Sequence, residues 1–203
     1  MIYFSPYRIS TITSNADILH NDDKFKIDLH KLFHTIPIND KSRIIWTQFQ
    51  DKEENRMRGE YPKKKRRQTK KTEKKRMFDN QVTLLYRTDQ NYFPNIKIFQ
   101  NGNIQMTGTR TINECYPIIE YILNYIGIIH DVKLTYHNFK IRLINTDFRV
   151  YKDSEFTNRF AIKRKELHKA LIEDTNIISS FQPGSYPAIR IEYFYNTNNT
   201  NGI

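Results

Sequence analysis

The sequence predicts an α+β fold: a curved antiparallel sheet with helices on one face, built from two pseudo-repeats, the second incomplete. Three observations predict it. Residues 96–108, I-K-I-F-Q-N-G-N-I-Q-M-T-G, solve as a β-hairpin. An amphipathic helical stretch follows, with Ile112, Cys115, Tyr116, Ile119, Ile122, Leu123 and Ile126 on one face. The order strand, short helix, strand then occurs twice, once from Tyr7 and again from Asn138.

Residues 7–13 alternate around Ile9 and Ile12 and read as a strand. Ile27, Leu29, Leu32 and Phe33 stand near helical spacing, which predicts a short helix over 27–33. Residues 42–50 hold Ile44, Ile45 and Trp46 and predict a second strand; residues 51–77 are a charged insertion; residues 78–87 are rich in β-formers. In the hairpin, a two-residue loop at Asn101 and Gly102 would mix apolar and polar residues on both faces. A three-residue loop, Gln100-Asn101-Gly102 with Gly102 left-handed, sorts them. Ile96, Ile98, Ile104 and Met106 then share a core face, and Lys97, Phe99, Asn103, Gln105 and Thr107 share the other. Thr111-Ile-Asn-Glu114 has the form of a capping box, and Pro117 makes the helix either start later or bend.

From Asn138 the order begins again. F-K-I-R-L-I at 139–144 echoes Y-R-I-S-T-I at 7–12, and Leu167-His168-Lys169, in a helix over 162–172, echoes Leu29-His30-Lys31. A strand over 189–195 echoes the one after Phe78, but no second N-G-x-I-x-M-T-G hairpin and no second long helix follow. The sequence therefore divides into a first repeat over 1–130, carrying the insertion at 51–77, a truncated second repeat over 131–195, and a polar tail over 196–203 expected to be disordered.

The formal net charge is +11, yet it is local: residues 63–76 hold ten of the 33 basic residues and one of the 22 acidic ones, and the rest is close to neutral. That run reads as a solvated loop able to contact phosphates or to act as an import signal. Cys115 is the single cysteine, which rules out a disulfide framework and a thiolate metal cluster. The start, Met1-Ile-Tyr-Phe-Ser-Pro, lacks the layout of a signal peptide, and no apolar run is long enough to span a bilayer. An intracellular protein without membrane contact is expected. No G-x-S-x-G, phosphate-binding glycine loop or H-E-x-x-H occurs, the carboxylate pairs Asp22-Asp23 and Glu53-Glu54 lie in loops, and the six histidines fit no zinc spacing. The expectation is a non-enzymatic protein with no metal and no cofactor.

The motifs resemble those of the TATA-box-binding protein family, in the divergent form carried by large DNA viruses. Phe99-Gln-Asn-Gly-Asn-Ile-Gln-Met-Thr-Gly resembles that family's F-x-S-G-K-x-x-x-T-G hairpin, Lys75-Arg76-Met77-Phe78 its P-K-R-F, and Pro183-Gly-Ser-Tyr186-Pro187-Ala188-Ile189 its P-E-L-F-P-G-L. The resemblance implies a saddle that sits on the minor groove of AT-rich promoter DNA and kinks it with aromatic wedges. It makes Phe78 and Phe99 the wedge pair of the first repeat and puts Tyr186 at one wedge position of the second. Gln105 and Thr107 fall where the family lines the groove floor, beside Lys97 on the same face, and Asn101 and Asn103 where its Ser and Lys approach phosphates. The family's central Asn positions fall on Tyr7 and Leu143, and its stirrup Glu on Gly184. A transcription-factor-B-like protein and RNA polymerase are the implied protein partners. The implied locations are a viral factory in the host cytoplasm, the virion or the host nucleus.

Plainer readings stand beside these. Phe99 is either a wedge or an isolated exposed ring. The strand after Phe78 has no turn to fix its register, and Tyr186 is either a wedge or a core tyrosine whose hydroxyl reaches a backbone group. Lys63, Lys64, Lys65, Arg66 and Arg67 either meet phosphates non-specifically or are merely solvated. The functional alternative to promoter binding is a protein-interaction module of the same fold whose DNA affinity comes only from the basic run. RNA binding through the sheet lacks any ribonucleoprotein-type motif.

Overall fold

The computed structural model describes residues 1–20, 25–39, 41–51, 54–62, 80–174, 177–193, 196–197 and 200–201. In chain order the elements are β1 (Tyr3–Phe4), β2 (Arg8–Leu19), α1 (Leu29–Thr35), β3 (Ile44–Asp51), β4 (Glu54–Gly59), β5 (Gln81–Tyr86), β6 (Asn95–Phe99) and β7 (Asn103–Thr109). There follow α2 (Cys115–His130), β8 (Thr135–Asp147), β9 (Val150–Tyr151), α3 (Arg164–Leu171), β10 (Ile177–Ser180), β11 (Arg190–Tyr193), β12 (Asn196–Thr197) and β13 (Thr200–Asn201). The chain forms two compact units, Tyr7–Asp147 and Met1–Pro6 with Phe148–Ile203.

The Tyr7–Asp147 unit is the α+β sheet that the sequence predicts. Seven strands pair antiparallel in the order β4-β3-β5-β6-β7-β2-β8. Period-two alternation sorts the side chains: Ile96, Ile98, Ile104, Met106, Val82, Leu84, Phe49 and Ala16 fall on one face. They form one buried cluster with Leu29, Leu32 and Phe33 of α1 and Ile118, Ile119, Ile122 and Ile126 of α2, so both helices cover the same face. The hairpin register is the expected one. Ile96 pairs with Met106 and Ile98 with Ile104, and Gly102 takes φ +87° to close the three-residue loop. A side chain there would occupy the left-handed region, which glycine enters without steric cost.

Helix starts follow the sequence closely. The Lys31 amide donates to Asp28 Oδ1 at 2.8 Å and opens α1. Before α2 the predicted capping box forms reciprocally: the Glu114 amide donates to Thr111 Oγ1 at 3.3 Å, and the Thr111 amide to Glu114 Oε2 at 3.2 Å. The helix starts later than the apolar pattern that begins at Ile112: α2 opens at Cys115, and Pro117 is its third residue, inside the first turn where an amide has no intrahelical acceptor.

Glu114 also accepts from the Arg110 amide at 2.8 Å and from the Tyr92 hydroxyl. Burial opposes its ionisation. The Tyr92 hydroxyl and the Arg110 and Thr111 amides outweigh that and hold the carboxyl below its ordinary pKa. A carboxyl with a depressed folded pKa stabilises in full at neutral pH and stops doing so as pH falls through its folded value. Glu114→Gln is therefore expected to cost about 1 kcal/mol near pH 7, on the scale of a lost cap. The gap from the parent chain should shrink as pH falls below the ordinary glutamate range and close in acid below the lower folded value, once the carboxyl is protonated in the folded chain as well. Urea unfolding of both proteins at the two pH values checks this; a gap that persists in acid would remove the electrostatic account.

Three departures from the sequence expectations are structural findings. Part of the charged insertion is a strand: β4 folds back on β3, with Gln48 opposite Met57 and Trp46 opposite Gly59. Strand β2 runs six residues past Thr13, because Ser14 and Ala16 are small enough to pack under the helices. In the polar tail, Asn196 and Thr197 pair with Asn201 and Thr200.

The second unit contains the β1-β9, β10-β11 and β12-β13 ladders and α3. Among its described residues Tyr151 is the only buried hydrophobic one, and α3 buries none. From β8 the chain order is β8, β9, α3, β10, against β2, α1, β3 in the sheet unit. The compact units and the two sequence repeats divide the chain differently, since β8 belongs to the sheet of Tyr7–Asp147.

Candidate nucleic-acid interface

The face of the sheet away from α1 and α2 carries the alternate residues, and cross-strand register arranges them in rows. One row runs across all seven strands: Met57, Gln48, Thr83, Lys97, Gln105, Asn15, Lys140. The next is Gly59, Trp46, Leu85, Asn95, Thr107, Thr13, Leu143. Beyond the first row on the other side lie Gln81 opposite Phe99, and Asn103, Asp17 and His137.

The two halves of this face differ. On β3 and β5, Trp46, Gln81, Thr83 and Leu85 are buried, and the Trp46 ring meets the Tyr61 ring edge-on at 5.0 Å. On β6, β7, β2 and β8 the face is open: Phe99, Lys97, Asn103, Gln105, Thr13 and Asn15 are half-buried, and Thr107, Lys140 and Leu143 are exposed. Two buried side-chain atoms among the described residues have no hydrogen-bond partner, Asn15 Oδ1 and Gln81 Oε1, and both belong to this face. A buried acceptor without a donor is costly, which makes each a place where an incoming donor gains more than it would from water.

The structure brings together Lys97, Phe99, Asn103, Gln105 and Thr107, with Asn101 exposed at the hairpin tip. Phe99 stands on the polar face beside Gln81, and Ile98 and Met106 are fully buried on the other, which excludes a core role for that ring. Asn103 is less free than its motif position suggests: its Nδ2 donates to Asp17 Oδ1 at 2.7 Å, and its amide donates to Asn101 Oδ1 at 3.2 Å. Asn138 Nδ2 reaches the other Asp17 oxygen at 3.3 Å. Asp17 places a negative charge at this corner, against a phosphate approach to Asn103.

Tyr186 belongs to the second unit, where its amide donates to the Gln182 carbonyl and its side chain is 62% exposed, so it is not a core tyrosine. Phe78 and the basic residues Lys63, Lys64, Lys65, Arg66 and Arg67 lie outside the described residues. Tyr7 is exposed at the start of the sheet unit, and Leu143 lies on the open face opposite Thr13.

Asn15, Thr13 and Lys140 are the face residues that sequence reasoning missed. The signal was present as the continued alternation Thr11, Thr13, Asn15, Asp17 against Ile12, Ser14, Ala16, Ile18. It faded because Ser14 and Ala16 contrast weakly with their neighbours.

The chain matches no known protein-family model. Over 155 residues, 65% of this chain, it is 32% identical to a protein of Acanthamoeba polyphaga mimivirus named TATA-box-binding protein-like. The chain covers 41% of that relative's length. The antiparallel sheet with both helices on one face and this likeness point the same way, to a relationship with TATA-box-binding-protein-like proteins.

Proposed function

We propose that this chain is a transcription initiation factor that binds AT-rich promoter DNA in the minor groove through the open face of its sheet and bends it by aromatic wedging. The observation that carries the reading is Phe99, an aromatic ring on the face that bears Lys97, Asn103, Gln105 and Thr107. In the row beside it the carboxamides of Gln105 and Asn15 are opposite one another, flanked by Lys97 and Lys140. The two lysines are three strand spacings apart, about 14 Å along the row. A B-form minor groove is about 6 Å wide, so a groove opened by wedging would set the lysines toward the two phosphate chains and the carboxamides toward base edges. The family resemblance makes Phe78 a second wedge and Tyr186 a wedge of the second repeat. A transcription-factor-B-like protein and RNA polymerase would then be the partners that read the bent complex.

A fluorescence energy-transfer measurement of the bend in an end-labelled AT-rich duplex tests the reading. The parent chain should bend it, and Phe78→Ala/Phe99→Ala should bind with a much smaller bend. Equal bending by both would reject the wedge.

One observation favours a second reading, a protein-interaction module with only non-specific DNA affinity: Asn103 Nδ2 already donates to Asp17 Oδ1 on the face. In that case affinity resides in the basic run at 63–76. Deleting it should abolish binding, and the parent's affinity should fall by orders of magnitude between about 50 and 200 mM salt, as counterion release requires of a run with six to ten phosphate contacts. A deletion that keeps a preference for AT-rich over GC-rich duplex, measured by competition, removes this reading.

A further inference from the structure

We propose that Asp17 selects a guanine: within an otherwise AT-rich minor groove, its carboxylate accepts a hydrogen bond from the exocyclic N2 amine of one G·C pair. The inference rests on the minor-groove reading above and names the base pair that this face takes at one end. On the open face Asp17 of β2 lies between Asn103 of β7 and His137 of β8, at the end of the sheet where Gln81 pairs with Phe99. It is half-buried.

The carboxylate is held from both sides. Asn103 Nδ2 donates to Oδ1 at 2.7 Å, and Asn138 Nδ2 donates to Oδ2 at 3.3 Å. Asn138 reaches it because β8 bulges there: Asn138 and Phe139 together stand against Ala16, and Asn138 takes φ +52°. Asparagine enters that left-handed region more readily than most residues. A carboxylate accepts about four hydrogen bonds, so the two asparagines orient it and leave room for a further donor.

Acceptors gather at this corner. Gln81, 4% exposed, has no partner for its Oε1, and Asn15, two residues from Asp17 along β2, has none for its Oδ1. A carboxamide can turn over and offer an N–H instead; a carboxylate has none to offer, so Asp17 carries the inference. The minor groove narrows the choice of partner. An A·T pair shows only acceptors there, adenine N3 and thymine O2, and the guanine N2 amine is the one donor on a base edge. A carboxylate brought against acceptors loses its water and gains nothing in return. Against the amine it gains a charge-assisted hydrogen bond. Two residues of strand span about 6.8 Å, which is about two base steps at 3.4 Å. The guanine therefore belongs about two steps from the pair that faces Gln105 and Asn15, toward the end where Phe99 stands.

The test uses the full chain and an AT-rich duplex. At each position in turn one A·T pair is replaced by G·C, by 2,6-diaminopurine·T, which adds the amine alone, or by inosine·C, which is G·C without the amine. Competition anisotropy reads affinity, and energy transfer reads the bend. At one position G·C and diaminopurine·T are expected to bind about ten times more tightly than A·T, and inosine·C is not. Asp17→Ala should abolish that gain and bind the all-A·T duplex at least as tightly as the parent. Asp17→Asn, which keeps one acceptor oxygen and the side-chain shape, should retain a smaller gain. A parent chain that bends the AT-rich duplex but gains from the amine at no position overturns this inference alone. A gain shared by inosine·C, or one that survives Asp17→Ala, overturns it too, because neither needs an amine at that carboxylate. A chain that bends no duplex overturns the minor-groove reading, and this inference with it.

Discussion

Replacing Phe99 by alanine is expected to leave the sheet folded while weakening binding to AT-rich duplex by about 5- to 150-fold, the 1–3 kcal/mol that an aromatic ring gains by stacking on a base. The fold should survive because the Phe99 ring is half-buried on the polar face and the core beneath it, Ile98 and Ile104, does not depend on it. The bend should fall with the affinity, since a ring inserted at a base step both unstacks it and holds it unstacked. Phe99→Trp, which keeps a flat apolar ring, should restore most of both. The measurements are anisotropy for affinity and energy transfer for the bend, with circular dichroism to confirm the fold. An alanine variant that binds and bends as the parent does would make Phe99 a bystander and leave the Lys97, Gln105, Asn15, Lys140 row as polar surface only.

The second large effect tests the register beneath that claim. Ile104 is fully buried and pairs with Ile98 on one side and Ala16 on the other, under the helices. Ile104→Ala should cost about 2–5 kcal/mol, because the lost transfer energy adds to a cavity that a helix-covered sheet cannot collapse. Its chain neighbour Gln105 points to the opposite face, so Gln105→Ala should change stability by about 0.5 kcal/mol or less. The DNA effects should be reversed: Gln105→Ala lowers the preference for one duplex sequence over another, whereas Ile104→Ala, measured where it is still folded, does not. Urea unfolding and competition binding read the two halves. Equal destabilisation by both variants would mean that the strand is not alternating as described.

Much of the fold was legible because local chemistry left few choices. In the hairpin, one register puts four apolar residues together and gives Gly102 the positive φ, and that register is the one formed. Helix α2 was legible from its apolar spacing, and the turn before it from Thr111 and Glu114, each of whose side chains accepts from the other's amide. Strand β4 was not, because E-N-R-M-R-G has no β-branched residue and no apolar alternation. It is a strand because β3 offers it an edge. Asn15 was missed for a related reason: small residues on the core side hide the alternation. The burial of Trp46 on the polar face could not be read from its own strand, because the Tyr61 ring that meets it lies beyond β4.

By itself, then, the sequence determined the fold class, the hairpin register, the faces of its strands and the placement of Phe99 on a polar surface. A period of two or of 3.6 states which side a residue faces, and local residues suffice to read it. Only the tertiary structure decided which strands are neighbours: β4 outside β3, β8 against β2, and hence Gln105 next to Asn15 and Lys140 at the end of their row. Such pairs join residues as far apart as Thr13 and Leu143, and no periodicity within either strand names its partner.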